Sequence, residues 1–523
     1  MLLVSFILYQ TTANINRIII QSTPIVRNFF WWYNRIMRII KYQEPHMRAD
    51  SKKQKIKNIA KNRTDSLPPA GSHIHFIGIC GSSMSGLALL AKHYGYIVSG
   101  SDRDENPVAD DLRSKGISVM IGQKAENIDD SIDLAVYTVA VSMDNPEIRE
   151  VTSLGIPLIE RGSFLGMISR RFKYPVSVSG THGKTTTTAM LSSIMLSAGF
   201  DPAVHLGGIF PLIEGSVRPS ESDYFITEAC EYYAHMLKLS SFGAIILNVD
   251  SEHLDFYKND KNINDAFAQF AENVSPDGFV VVCAENKRAM AAASGASARV
   301  VTYALSSSLL GAEFEADNIV SFPDHSEYDF KHNSEVCCRI TVHVPGVHNI
   351  LDSLAASAAA WNLGADIGAI KTGLDKFTGT GRRFEHKGNV RGAELIDDYA
   401  HHPAEVKATL SAARTAAGKE GRIIAVFQVH TFTRAIDFGS AFADALKEAD
   451  EIVVSDIYAA REIDPGTVSG STLADLFISK GLNARYIGSF EKIAEYVSGT
   501  LKPGDIIITL GAGNINKVLK LIK

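Results

Sequence analysis

Residues 177–188 read Ser177-Val178-Ser179-Gly180-Thr181-His182-Gly183-Lys184-Thr185-Thr186-Thr187-Thr188. The apolar lead from Pro175 to Val178 predicts a buried strand, and Ala189-Met190-Leu191 continues at helical spacing. Strand, glycine turn, lysine and helix start together describe a phosphate cradle. Its backbone N–H groups and the positive end of a helix dipole face an anion. In such a cradle Lys184 reaches the β/γ phosphates of ATP, and the Thr185 hydroxyl sits on Mg²⁺. The spacing departs from the common rule, because Val178 stands where that rule wants its first glycine. A glycine-capped helix start with a solvated lysine is the plain alternative.

Composition sets the frame around this stretch. A chain of 523 residues has room for about three domains at ~150 residues each. It is 46% hydrophobic and 21% charged, as globular domains are. Residues 1–70 carry 12 Lys/Arg against 3 Asp/Glu, while the whole chain is −6, so the remainder is strongly acidic. An acidic body offers nothing to a nucleic acid. The five cysteines (80, 230, 283, 337 and 338) are odd in number and lack CxxC spacing. That fits a reducing cytoplasm without a structural zinc site.

Residues 1–70 form a basic N-terminal extension of different character. Their apolar runs fall short of the ~18 residues that a membrane span needs, so a membrane partner is not expected. A basic surface helix around Trp31 to Lys41 is one reading. The other is that translation begins at Met47, ahead of a lysine-rich lead, and that residues 1–46 are not native.

Downstream, strands alternate with helices and end in polar clusters. His73 to Ile79 predicts a strand that runs into Gly78-Ile79-Cys80-Gly81-Ser82-Ser83-Met84-Ser85-Gly86, with Asp102 closing the next strand. The glycine spacing is not GxGxxG, so nicotinamide binding is weakly supported. Strand ends then carry Glu228-Ala229-Cys230-Glu231 and Asp250-Ser251-Glu252-His253. Parallel strands collect such ends at one edge, where ligands bind, so Glu228 and His253 are expected to face Lys184 and Thr185. Glu228 offers Mg²⁺ a hard oxygen; an isolated histidine after a strand is more often a hydrogen-bonded turn residue than a metal ligand. Residues 285–343 read as β-rich periphery. The segment Val347-His348-Asn349 opens an alanine-rich helix, with His348 or Asn349 as its cap. Thr378-Gly379-Thr380-Gly381 is a hinge candidate followed by Arg382-Arg383. Two further strand ends carry Asp397-Asp398-Tyr399-Ala400-His401-His402-Pro403 and Gln428-Val429-His430, with Arg434 nearby.

Gly-Thr-His-Gly-Lys-Thr-Thr-Thr-Thr resembles the ATP loop of the Mur ligases, and Asp-Asp-Tyr-x-His-His-Pro-x-Glu resembles their C-terminal motif. The resemblance covers residues 72–523 and recurs at six or more separate loops. It implies three α/β domains: a Rossmann-like UDP-binding domain (71–172), a P-loop-type central ATPase domain (173–380) and a Rossmann-like C-terminal domain (381–523). It implies an ATP-dependent ligase that joins L-alanine to UDP-N-acetylmuramate through an acyl phosphate, in peptidoglycan precursor synthesis. By that resemblance Gly180, Thr181, His182, Gly183, Lys184, Thr185 and Thr186 hold ATP, with His348 and Asn349 at adenine, Arg383 at the phosphates and Asp398 at the ribose. Gly81, Ser82, Ser83, Met84, Ser85 and Asp102 hold the UDP-sugar. Tyr399, His401, His430 and Arg434 face the amino acid; Lys184, Glu228 and His253 are catalytic; Thr185, Glu228 and His253 take the metal.

Five residues depart from the pattern that these ligases usually show: Cys230 for Asp, Glu252 for Asp, Asp352 for Asn, Val429 for Pro and Asn514 for Asp. They leave open a non-catalytic nucleotide-binding relative. A ligase that attaches a recycled tripeptide to the same sugar is the nearer rival.

Overall fold

The computed structural model describes residues 66–523 except Lys419, and of Asp255 only the backbone. The readings of Met47 and of the basic helix around Trp31 lie outside the described residues.

Three sheets follow one another along the chain. The first has five strands: β1 (His73–Ile77), β2 (Ile97–Asp102), β3 (Ser118–Ile121), β4 (Leu134–Tyr137) and β5 (Leu158–Glu160). All pair in parallel, in the order β3-β2-β1-β4-β5. The second sheet has ten strands: β6 (Tyr174–Ser179), β7 (Ala203–Phe210), β8 (Gly215–Arg218), β9 (Tyr224–Glu228), β10 (Ser241–Ile246), β11 (Val274–Cys283), β12 (Arg299–Leu305), β13 (Phe314–Ser321), β14 (Ser326–His332) and β15 (Glu335–Val342). Their order is β15-β14-β13-β12-β11-β10-β6-β9-β7-β8, which sets β6 between β10 and β9. The third has six: β16 (Glu385–Val390), β17 (Ala393–Asp398), β18 (Ile423–Phe427), β19 (Glu451–Val454), β20 (Ala484–Tyr486) and β21 (Ile506–Leu510). Only β16 runs antiparallel to its neighbour in that sheet. The mixed α/β class with parallel, helix-covered sheets agrees with the strand–helix alternation of the sequence.

The phosphate-loop strand is central because both its faces must be covered. Val176 and Val178 are fully buried, and the helix Lys184–Ser197 that follows has almost no charged residue to offer water. It packs on the alanine-rich helix Val347–Asn362 and on the helix Ile367–Asp375. The second contact is close: a Cβ on Gly373 would lie 2.4 Å from the Ile194 Cα, so only glycine fits there. This packing anchors the helix through its C-terminal half, behind the glycine turn.

Two local expectations change. The alanine-rich helix is capped by the backbone of Gly346, at φ +106°, and not by His348 or Asn349, which occupy its first turn. Asn349 instead donates to the Pro345 carbonyl at 2.6 Å. The peripheral stretch after Glu285 is not wholly β-rich, since Lys287–Ala293 is a helix.

Candidate active site

Gly180 and Gly183 turn the loop at φ +146° and +87°, a region that side chains rarely adopt. A Cβ on Gly183 would meet the Asp352 carboxylate at 2.5 Å, and one on Gly180 would meet Leu247 at 2.9 Å. Asn248, just past β10, clamps the loop from the side. It accepts from the His182 N–H at 2.8 Å and donates to the His182 carbonyl at 3.1 Å. Thr181 completes the clamp by accepting from the Asp250 N–H at 2.9 Å.

Lys184 does not pair with Glu228. Its ammonium curls back onto its own loop, donating to the carbonyls of Gly180 (2.6 Å) and Thr181 (3.0 Å), and pairs with Glu231 at 2.9 Å. Burial opposes the charge, but Glu231 outweighs it and raises the ammonium above its usual range. Glu228 accepts from the Gly207 N–H at 2.8 Å. Glycines 207 and 208 leave space there: a Cβ would come within 3.2 Å of Glu228 on one and within 3.0 Å of Thr185 on the other.

Thr185, Glu228 and His253 all line one cavity, of about 1260 Å³. Hydroxyl and carboxylate oxygens suit Mg²⁺, so Thr185 and Glu228 fit that ion. Among the described residues, the cluster of acids and imidazole close enough to share one ion is a different one: Glu231, Glu252 and His253, with ligand atoms within 4.8 Å of one another. His253 Nε2 lies 3.3 Å from Glu231, its ring stacked on Tyr232 at 4.3 Å. Both glutamates of this cluster already hold cations, Lys184 and Arg434 respectively.

The C-terminal sheet closes the site from the other side. Arg434 donates to Glu252, and its second nitrogen lies 3.2 Å from His430 Nδ1. Burial opposes the charge of Glu252, yet Arg434 and His401 hold its pKa near 2. Burial brings His430 down to about 4 and also lowers His401. His401 Nδ1 lies 3.0 Å from the Tyr399 carbonyl and 3.2 Å from Glu405, two acceptors that keep a proton on that nitrogen. Glu405 also accepts the N–H groups of His401 and His402, and meets His182 at 3.1 Å. His182 Nε2 stands 3.4 Å from Asp250, an ion-pair separation. Burial works against a charged His182, but the two carboxylates raise its pKa to about 9. A raised histidine stabilises fully below its ordinary value of 6.5 and loses that contribution as pH rises through about 9. The His182–Glu405 link should therefore weaken in alkali.

A second cavity, of about 260 Å³, adjoins the loop and shares His182, Gly183, Thr185, Arg383 and Glu405 with the first. Gly183, Thr185, His348, Asn349, Arg383 and Asp398 line it, so residues from the central and C-terminal sheets meet there. Asp398 accepts from the Phe384 and Ala400 N–H groups, both at 2.7 Å. Asp352 sits under Gly183, where burial raises its carboxyl to about 8. The unfolded chain ionises this group near 3.8, so its burial costs stability once pH rises above that value. Asp352→Asn is isosteric and carries no charge. It should stabilise the fold by a few kcal/mol (an order-of-magnitude figure from ~1.4 kcal/mol per pKa unit) at pH 8. The gain should vanish below about pH 4, as thermal unfolding at the two pH values will measure.

In the first sheet, the loop after β1 is stiffened by Asp102, which accepts the Cys80 N–H at 2.9 Å. Ser82 and Ser85 line the large cavity, and Gly81 precedes them as the helix cap. Met84 is buried in the hydrophobic core, so its side chain is not available to a ligand. The residues that sequence reasoning did not select are Glu231, Asn248, Asp250, Glu252 and Glu405. Most sit within a few residues of a strand's C-terminal end, a position that could have flagged them.

Family models match most of the described chain: the Mur ligase catalytic domain at residues 73–173, the Mur ligase middle domain at 178–360 and the Mur ligase glutamate ligase domain at 382–513. The chain belongs to the Mur ligase family. It is 43% identical over 445 residues to the UDP-N-acetylmuramate–L-alanine ligase of Clostridium novyi, covering 85% of this chain and 96% of the relative. The enzyme of the same name from Acetivibrio thermocellus is 43% identical over 453 residues, covering 86% and 95%. Among solved structures, the UDP-N-acetylmuramate–alanine ligase of Thermotoga maritima superposes with a TM-score of 0.73 at 28% identity, covering 86% of this chain and 97% of that one. A murein peptide ligase from Psychrobacter arcticus shares the fold, with a TM-score of 0.66 at 24% identity, covering 86% and 98%. ATP-dependent ligation is thus the family's chemistry, and among the described residues no helix is long and apolar enough to cross a membrane.

Proposed function

We propose that this chain joins L-alanine to UDP-N-acetylmuramate at the expense of ATP, a step of peptidoglycan precursor synthesis. The observation that carries the reading is one large cavity. In it the loop serines of the first sheet, Lys184 and Glu228 of the second and Tyr399 and His401 of the third come together.

The smaller cavity takes the nucleoside of ATP, with His348 and Asn349 at the base, Asp398 at the ribose and Arg383 toward the phosphates. The γ-phosphoryl group passes to the muramate carboxylate, and the P–O bond to ADP breaks. Lys184 lies against the transferring group, where positioning and electrostatics dominate the barrier. Thr185 and Glu228 would hold Mg²⁺, whose charge neutralises phosphate oxygens when it is bound; His253 borders the same space. Ser82 and Ser85 lie against the sugar nucleotide, whose diphosphate meets the helix N-terminus after Gly81.

The amine of L-alanine then attacks the acyl carbon, and phosphate leaves from the tetrahedral intermediate. Arg434 and His430 hold the amino-acid carboxylate, with Tyr399 beside it. His401, kept neutral by burial and with its Nδ1 proton directed at the Tyr399 carbonyl, offers Nε2 to the proton that the amine gives up.

Phosphate release from ATP and UDP-N-acetylmuramate, measured with L-alanine and with the tripeptide L-alanyl-γ-D-glutamyl-meso-diaminopimelate, tests this. Release with L-alanine alone is expected. A tripeptide preference would reassign the acceptor, and no release with either would remove the ligase reading.

A further inference from the structure

A line of hydrogen bonds crosses from the first sheet to the second; it starts at Arg161, which has no role above, and runs through Ser83 of the sugar-nucleotide loop. Arg161, which opens the helix after β5, donates to Ser83 Oγ at 3.0 Å and to His235 Nδ1 at 2.6 Å. Ser83 lies 3.1 Å from His205 Nε2, and His205 Nδ1 lies 3.3 Å from Thr227 Oγ1. Thr227 donates in turn to the Glu228 carbonyl at 3.2 Å. The chain therefore joins the sugar-nucleotide loop to the strand end that carries Glu228.

One self-consistent direction follows from what each group can do. Arginine has only donors, so both of its partners must accept. Thr227 gives its proton to the Glu228 carbonyl, so it accepts from His205, whose Nδ1 carries the hydrogen. Burial holds His205 neutral, with a pKa near 4, so Nε2 is an acceptor and takes the Ser83 hydroxyl proton. His235 accepts from Arg161 on Nδ1, so its proton sits on Nε2, facing Glu160. In this order every donor has an acceptor; the opposite His205 tautomer would turn Nε2–H toward the Ser83 carbonyl at 3.4 Å and take the Thr227 proton on Nδ1, so Ser83 and Thr227 stay tied to His205 either way. His205, Thr227 and His235 are all buried, so a broken link could not turn to water without cost.

Packing fixes Arg161 at the head of the line. A Cβ on the next residue, Gly162, would come 2.7 Å from the His235 ring, and one on Gly166 would come 2.2 Å from the Lys238 carbonyl. The helix is pressed onto the turn Tyr232–Lys238, which begins one residue after Glu231, the partner of Lys184.

We infer that Arg161 is a positioning residue: through Ser83 and His205 it aligns the sugar-nucleotide loop with the end of β9, and through His235 it anchors that loop to the turn that follows Glu231. The inference rests on the reading of the loop after β1 as the sugar-nucleotide site. It assigns Arg161 no contact with the reacting atoms.

Calorimetric titration with UDP-N-acetylmuramate, and separately with ATP, tests it on the unaltered protein and on Arg161→Gln, Ser83→Ala and the double variant. Each single change should weaken sugar-nucleotide binding about tenfold, the scale of one hydrogen bond to a charged group. The double variant should lose little more than either single one, and ATP affinity should stay within about twofold. His205→Ala, which cuts the same line from the other end, should reproduce the selective loss, and it serves should Arg161→Gln not fold. Arg161→Lys should recover part of it. Unchanged sugar-nucleotide affinity in folded Arg161→Gln, additive losses in the double variant, or an equal fall in ATP affinity would each overturn the inference. Ligase turnover of the unaltered protein is measured alongside. Normal sugar-nucleotide binding without ligation refutes the proposed reaction and leaves the inference to its variants. No sugar-nucleotide binding at all overturns both.

Discussion

Lys184→Met is expected to lower phosphate release by about a thousandfold, the cost of removing one preorganised charge from a developing phosphoryl transition state. The methionine keeps the length of the side chain and removes its charge. It also takes from Glu231, a buried carboxylate, the cation 2.9 Å away, and leaves it only the His253 ring at 3.3 Å. Taking the cation from a buried carboxylate costs up to roughly 3–5 kcal/mol, so the variant should unfold at a lower temperature. Adding Glu231→Gln removes that charge. The double variant should regain stability and none of the activity, which separates the two effects. Phosphate release and thermal unfolding on the three proteins decide it. Undiminished release in Lys184→Met would take the lysine out of the reaction.

Arg434→Ala carries the second largest expectation. The KM for L-alanine should rise about a hundredfold, because a guanidinium meets a carboxylate with two parallel hydrogen bonds and desolvated pairs of this kind are strong. The KM for ATP should hardly move. The same arginine pairs with Glu252 across the junction of the central and C-terminal sheets, so the substrate carboxylate must share or displace that partner. Arg434→Lys should recover little, since a point charge cannot reproduce the planar fork. Initial rates at varied L-alanine, with ATP saturating, provide the measurement. An unaltered KM for L-alanine would move the carboxylate site elsewhere.

Both variants concern partners that the linear reading did not supply. Lys184 was singled out by a motif of nine consecutive letters, but Glu228 was expected opposite it and Glu231 stands there instead. The reason is geometric. Glu228 is the last residue of β9 and accepts from the neighbouring strand β7 at Gly207, while Glu231 lies three residues on, where the chain turns back over the loop. Likewise His348 was read as a possible cap, whereas the backbone of Gly346 takes that place and His348 faces the smaller cavity. Arg434 was read as a carboxylate ligand, but nothing near it in sequence indicates Glu252, 182 residues away.

What the sequence determined by itself is local: strand, glycine turn, lysine, helix, and the polar ends of successive parallel strands. Backbone conformation over ten residues depends on side-chain sterics, glycine freedom and hydrophobic period, all written in consecutive positions. Only the tertiary structure decided which charge faces which: Lys184 with Glu231, Arg434 with Glu252, and His182 with Glu405 across 223 residues. Those pairings depend on how three sheets pack. A shift of an ångström or two between sheets, invisible in any stretch of letters, exchanges a hydrogen-bonded partner for a distant one.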